Sequence, residues 1–459
     1  MATKWLRLCV FWMLFGLAVK GRGRCWIYWV GGIFFNNPAI QSIAFTGCAI
    51  FVFYQMNFSN IIGLAETKHH LLEMVQQNRL SHALLFLGKE GSGALPLALA
   101  FAQYVALQPA GDEKPAGASL FGDEPVVPYI PPSMPAEADA WMEKQQAYLK
   151  ASKYIHPDIH FTFPVIPKKS GDKPVSANYI AEFREFIAQQ PYGNAFDWLQ
   201  FIGAENKQGN ITAEECNEIV RQMSLKSFES PYKILVIWMP EYLGKEGNKL
   251  LKLIEEPPPN TLFILVAENE EQILATILSR CQLVKIPRPG LSEIEQALIT
   301  RANVLPEKAR QTASISEGNY REALQLLQHS EEDWQGLLRD WLNACLKGGP
   351  VAQLKWIDEV SKLGREKQKQ FLRYFTHLLE QSIRIRVMGA ANLALPDNEK
   401  DFAQRLNKIA TVSQQEAIIE ELDRNAYYIE RNANGKMLFH ALTIKLFHII
   451  QHKTLILTE

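Results

Sequence analysis

The chain has 459 residues, 47% apolar and 21% charged, with a formal net charge of −1. That length exceeds one compact core and implies two or three domains of ordinary soluble composition. Near-neutral charge excludes a chain that binds nucleic acid by bulk basicity. The six cysteines contain no CxxC pair, which excludes a readable zinc site or disulfide framework, and single scattered thiols suit a reducing cytoplasm.

Residues 1–55 carry Lys4, Arg7, Lys20, Arg22 and Arg24 but no Asp or Glu, and they hold four of the ten tryptophans. Their apolar runs, 8–19 and 43–54, are shorter than the roughly 20 residues of a spanning helix. Such a segment reads either as a weak signal or anchor, or as upstream sequence ahead of a start at Met56. The composition break at Met56 favours the second reading, because a domain of cytoplasmic type begins directly after it.

From there, residues 66–80 are predicted helical, with apolar side chains at Leu71, Leu72, Val75 and Leu80. Residues 83–87 read as a buried strand, Gly88-Lys-Glu-Gly-Ser-Gly93 as a turn and 95–107 as a helix. Strand, glycine-rich turn and helix open a nucleotide-binding βα unit. Residues 109–135, with seven prolines, read as an exposed loop within an irregular insert over 109–155. Strands are predicted at 159–163, 198–202, 233–238, 261–267 and 283–286, with helices at 177–190, 213–227 and 245–256. The last helix stops at Pro257-Pro-Pro259. This alternation predicts an α/β domain over 56–288, built on a mostly parallel sheet covered on both faces. Beyond Pro289 the pattern turns helical, giving a small lid over 289–330 and a larger all-α domain over 331–459.

A working P-loop, G-x-x-x-x-G-K-[ST], cradles phosphates on backbone N–H groups, reaches them with its Lys and holds Mg²⁺ with its hydroxyl. Here Gly88, Gly91 and Gly93 keep the frame, but Ala94 and Leu95 stand in the Lys and Ser/Thr positions. The charge-assisted contact and the metal ligand are both lost. The apolar strand that should end in metal-holding acids runs instead into Trp238-Met-Pro-Glu241. Glu241 reads as a solvated loop residue rather than a displaced base. In contrast, Thr276-Ile-Leu-Ser-Arg-Cys281 keeps an arginine, Arg280, of the kind that neutralises transition-state charge on a neighbour's nucleotide.

Arg79-Leu-Ser-His-Ala83, Leu250-Leu-Lys-Leu-Ile-Glu-Glu-Pro-Pro258, Ser279-Arg-Cys281 and Gly318-Asn-Tyr-Arg-Glu-Ala-Leu324 together resemble the bacterial clamp-loader AAA+ subunits of DNA polymerase III. The resemblance covers about residues 58–327 and, more loosely, the helical C-terminus, which is similar to the family's collar domain. It implies an AAA+ fold with lid and collar, and it makes Arg321 the lid's second-sensor arginine in a vestigial nucleotide site with Gly88, Gly91 and Gly93. The motor subunits, gamma/tau, keep the P-loop Lys and the acidic strand end; this sequence follows the delta-prime pattern, which can lack both. By resemblance the chain is an ATPase-inactive stator in a cytoplasmic ring with gamma/tau and delta, with Arg280 acting in trans as an arginine finger. Sliding clamp and primed DNA are met through the complex, ATP is bound by the partners, and no membrane is involved.

Family members often hold zinc with four cysteines after the first helix. Here none occurs between Cys48 and Cys216, so zinc is not expected, and His156 and His160 read as loop and strand histidines. The alternatives are an active gamma/tau-like ATPase subunit, a membrane-tethered AAA+-like adaptor using residues 1–55, and a helicase-loader or eukaryote-like clamp-loader paralogue.

Overall fold

The computed structural model describes residues 40–46, 49–54, 56–109, 130–168, 171–204, 207–328, 333–388, 397–430 and 433–452. The chain divides into two units, Met1–Gln55 and Met56–Glu459. In the first, β1 (Ile40–Thr46) pairs antiparallel with β2 (Ala49–Tyr54), so the second apolar run is a hairpin. The first apolar run lies outside the described residues. No described helix is long and apolar enough to cross a membrane.

The second unit opens with α1 (Ala65–Gln76), β3 (Ala83–Gly88) and α2 (Ala94–Ala106). Every residue of α2 is buried, as expected of an Ala/Leu helix laid against a sheet. Residues 110–129, most of the proline-rich loop, lie outside the described residues. The remainder of the expected irregular insert contains two short helices, α3 (Pro135–Met142) and α4 (Tyr148–Ser152). Pro135 is compatible with a first helical turn, where its missing N–H costs nothing; Met142 and Tyr148 are buried.

Next come β4 (Ile159–Thr162), α5 (Ile180–Gln189), α6 (Ala195–Phe201), α7 (Ala213–Met223) and β5 (Lys233–Trp238). A 3₁₀ stretch over Pro240–Leu250 leads into α8 (Leu251–Glu255), then β6 (Thr261–Ala267), α9 (Ala275–Leu278) and β7 (Gln282–Ile286). The five strands form a parallel sheet in the order β4-β5-β6-β3-β7. Strands β5 and β6 are buried at every residue, the mark of a sheet covered on both faces. Edge strand β7 exposes Gln282, Leu283 and Lys285.

One predicted strand is wrong. Residues 198–201 lie in α6 and Ile202 caps its end, because Asn194 caps the start of that helix: its side chain accepts from Asp197 N while Asp197 accepts from Asn194 N. This reciprocal pair fixes a helical start that apolarity alone did not reveal. Trp198 is then fully buried, edge-on to Phe163 at 5.2 Å and to Phe183 at 5.5 Å.

The lid is α10 (Leu291–Ala302), α11 (Pro306–Ser316) and α12 (Tyr320–Gln328). Its core, with Ile294, Leu298 and Tyr320, includes Ile62 and Tyr192 of the α/β domain, so the two pack as one body. The C-terminal domain comprises α13 (Trp334–Asn343), a π turn at Ala344–Gly348, α14 (Gly349–Val360), α15 (Arg365–Met388), α16 (Asp397–Ile409), α17 (Val412–Glu430) and α18 (Gly435–His452). A parallel sheet, helical lid and helical C-terminal domain make this the AAA+ architecture.

The helical domain is centred on Trp341 and Trp356, stacked with ring centroids 4.6 Å apart. Trp341 is fully buried and its Nε1 donates to Thr443 Oγ1 at 3.0 Å. Trp341→Ala is expected to cost about 3–5 kcal/mol, measured as a lower urea midpoint for loss of helical circular dichroism.

Candidate functional site

The sheet register brings Gly88 level with Ile286, Leu87 with Ala267, and Trp238 with Val266. These are the carboxyl ends of the strands, where open α/β sheets present their ligand sites. Gly91 (φ 72°) and Gly93 (φ 91°) hold left-handed backbone, which glycine adopts without a Cβ penalty, and Gly93 caps α2. Ala94 and Leu95 open that helix and are buried. A half-open cleft of about 30 Å³ lies against the loop, bounded by Gly88, Gly91, Ala94, Trp238, Met239 and Glu268 among others. That volume admits about one or two waters.

The lid fills the rest. A Cβ on Gly91 would collide with the Asn319 side chain, and Tyr320 N donates to Gly91 O at 3.4 Å. Tyr192 packs edge-on to Tyr320 at 4.9 Å, its ring 3.2 Å from where a Cβ on Gly93 would stand.

Between the glycines, Glu90 turns its carboxylate to a cluster of donors from other elements. Oε1 accepts from Arg321 Nη1 at 2.9 Å and from Asn319 Nδ2 at 3.2 Å; Oε2 accepts from Asn194 Nδ2 at 3.2 Å. Lys369 Nζ lies 3.5 Å from Oε2, and Arg373 Nη1 lies 3.9 Å from Oε1. Arg321 also makes a two-pronged pair with Asp197, with Nη2 to Oδ1 at 2.6 Å and Nε to Oδ2. Arg373 pairs with Glu322 at 2.7 Å. Burial opposes ionisation of Glu90, but Lys369, Arg321, Arg373 and Asn319 outweigh it and hold the carboxyl well below its ordinary range. Loop, lid and C-terminal domain therefore meet at one carboxylate.

At the end of β5, Trp238 is buried against Phe183 and Phe186 at 5.7 and 5.8 Å. Glu241 corrects the sequence reading: it is not solvated. Its Oε1 accepts from the backbone N–H of Glu268 at 2.6 Å and of Asn269 at 2.9 Å, tying the end of β5 to the turn after β6. Its other oxygen is buried without a partner among the described residues, and burial raises its pKa. Glu268 is pushed well above the usual range by burial and by the neighbouring Glu90 and Glu241. Asn269 Oδ1 accepts from Glu271 N, spending its side chain within its own turn.

Arg280 stands apart from this cluster. It precedes β7, whose first residue, Gln282, is level with Leu84, so it lies at the amino edge of the sheet. Five residues of β7 separate that edge from the loop, roughly 16 Å at about 3.3 Å per residue. Its Nε donates to Glu255 Oε1 at 2.6 Å and its Nη1 to Thr276 O at 2.6 Å, with the side chain 30% exposed. Glu255 belongs to the Glu-Glu-Pro-Pro motif, so the two most specific sequence motifs meet as an ion pair. His156 lies in a buried turn, its Nδ1 accepting from Asp158 N at 3.2 Å, and His160 lies in β4.

The structure thus brings Gly88, Gly91, Gly93 and Arg321 together and leaves Arg280 at the other edge. Sequence reasoning missed Glu90, Asp197, Lys369 and Arg373 as site residues. The available signals were the Asn194/Asp197 capping pair and the Arg365, Lys369, Arg373 spacing of four, which lines one helix face.

Two outcomes test the cluster. Arg321→Ala leaves Glu90 and Asp197 buried without their shared cation, and should cost about 3–5 kcal/mol in denaturant unfolding. Because folding depresses the Glu90 carboxyl, its contribution is fully present above about pH 5 and is lost as pH falls through the folded value. The stability gap between wild type and Glu90→Gln should be flat above that pH and shrink below it; a gap that widened on acidification would contradict the assignment.

A family model described as "DNA polymerase III, delta subunit" matches residues 136–290. The delta-prime subunit of Bacillus subtilis is 25% identical over 266 residues, 57% of this chain and 58% of that protein. The delta-prime subunit of Escherichia coli is 26% identical over 47% of this chain and 64% of its own length. The tau subunit of Bacillus subtilis is 28% identical over 41% of this chain and 34% of its own. The chain thus spans about three-fifths of the length of the delta-prime relatives it matches. Among solved structures, a gamma subunit-related protein of Thermotoga maritima covers 82% of this chain and 97% of its own at 14% identity, with a TM-score of 0.29. By its sequence relatives, this chain is similar to the clamp-loader subunits of DNA polymerase III.

Proposed function

We propose that the chain is an ATPase-inactive, delta-prime-type subunit of a clamp loader, a stator that lends Arg280 to ATP bound by an adjacent gamma/tau-type subunit. The observation that carries this reading is the separation of the two ends of the sheet. The chain's own loop lacks the Lys, the hydroxyl and the acidic strand end, and Asn319 and Tyr320 of the lid are packed against it. Meanwhile Arg280 projects from the opposite edge, where it has no route to that loop. An arginine so placed serves a site on another chain or none.

The Glu255 contact fits this role. Both side chains are partly exposed, at 30% and 45%, and an ion pair of this kind contributes only about 0–1 kcal/mol. Exchanging Glu255 for a more highly charged phosphate therefore costs little. Until then Glu255 and Thr276 O hold the guanidinium beside the end of α9. The C-terminal helices supply the ring contacts with gamma/tau and delta. The sliding clamp and primed DNA are then partners of the assembly, in a cytoplasmic setting, with no nucleotide, zinc or other cofactor resident in this chain.

The test is DNA- and clamp-stimulated ATP hydrolysis by a loader reconstituted with the chain from Met56, after gel filtration has verified assembly. Arg280→Ala should lower hydrolysis at the adjoining site by on the order of 10³-fold without loss of the complex. Unchanged hydrolysis would make Arg280 a structural residue; ATP turnover by the isolated chain would restore the active gamma/tau-like reading.

A further inference from the structure

The Glu90 cluster contains more positive charge than a structural loop residue requires. Arg321, Lys369 and Arg373 come from the lid and the C-terminal domain and converge on one carboxylate of the glycine loop. The side chains of Glu90, Arg321 and Lys369 are only 12%, 4% and 5% exposed. Two amide donors, Asn194 Nδ2 and Asn319 Nδ2, complete the shell. Apart from the Arg373 contact at 3.9 Å, these donor groups lie within 3.5 Å of a Glu90 oxygen, the arrangement used to hold an oxyanion. In the ion pairs of the cluster, the three cations face Glu90, Asp197 and Glu322.

We propose that the Glu90 carboxylate is the built-in occupant of an oxyanion site, replacing a phosphate group, and that removing it opens the junction to inorganic phosphate or pyrophosphate. In the native chain, loop, lid and C-terminal domain are thereby locked together by an intramolecular anion, so closure needs no nucleotide. A cleft of about 240 Å³, lined by Glu90, Asn194, Glu268, Arg365 and Lys369 among others, gives an added anion its route to the cluster. None of this depends on which ring the chain joins.

The experiment uses the full chain, as wild type and Glu90→Ala, with thermal unfolding in sodium pyrophosphate and in sodium chloride of matched ionic strength. Wild type should melt at the same temperature in both. Glu90→Ala should melt lower in chloride and gain roughly 5 °C, saturably, in pyrophosphate. Adding Lys369→Met to Glu90→Ala should abolish that gain. If Glu90→Ala does not fold in chloride, refolding yield replaces the melting temperature, and recovery in pyrophosphate but not chloride supports the site. An equal pyrophosphate response in wild type and Glu90→Ala overturns the proposal. So does no response in the variant, by melting or by refolding.

Discussion

The contact between Glu90 and Arg321 holds the second unit of this chain in one closed arrangement. A carboxylate and a guanidinium so buried gain little net stability, because stripping both of water costs several kcal/mol that their attraction only roughly repays. Their value lies in the difference between keeping and breaking the set. With Asp197, Lys369, Arg373 and the two asparagines in place, every charge has a partner; with one missing, the rest are buried and uncompensated. Such a junction has a single favourable geometry, and the small Tyr192–Tyr320 contact alone would not impose it.

The surroundings follow from that closure. Asn319 sits on Gly91 because residue 91 has no side chain, and it meets Glu90 while its own Oδ1 accepts from Glu322 N. Glu322 in turn pairs with Arg373, carrying the lid onto α15. Glu241 binds the two turns behind the loop together through backbone donors instead of holding a metal. At the far edge of the sheet Arg280 keeps a partly exposed partner, Glu255, in contrast to the buried pairs of the junction.

Much of this was legible in the sequence. The strand–glycine turn–helix opening, the apolar strands at 233–238 and 261–267 and the helical C-terminus appear where their periodicity placed them. Missing chemistry at Ala94, Leu95, Trp238 and Met239 was readable directly, since absence of an ammonium or carboxylate needs no geometry. What stayed hidden depends on long-range pairing. Glu90 and Lys369 are 279 positions apart, and no local pattern says that they touch. Residues 198–202 look like a strand because Trp, Leu, Phe and Ile suit either period; the decision rests on the Asn194/Asp197 cap. Glu241 looked solvated because it follows a proline in a turn, whereas two unpaired backbone N–H groups after β6 draw it inward.

The most direct test of a junction closed by its own anion is backbone hydrogen exchange across residues 88–93 and 319–322, with and without Mg·ATP. The account predicts strong protection in the nucleotide-free chain and no change on adding nucleotide. Weak protection that rises with Mg·ATP would contradict it, because the loop would then be waiting for a ligand that the carboxylate is held to replace.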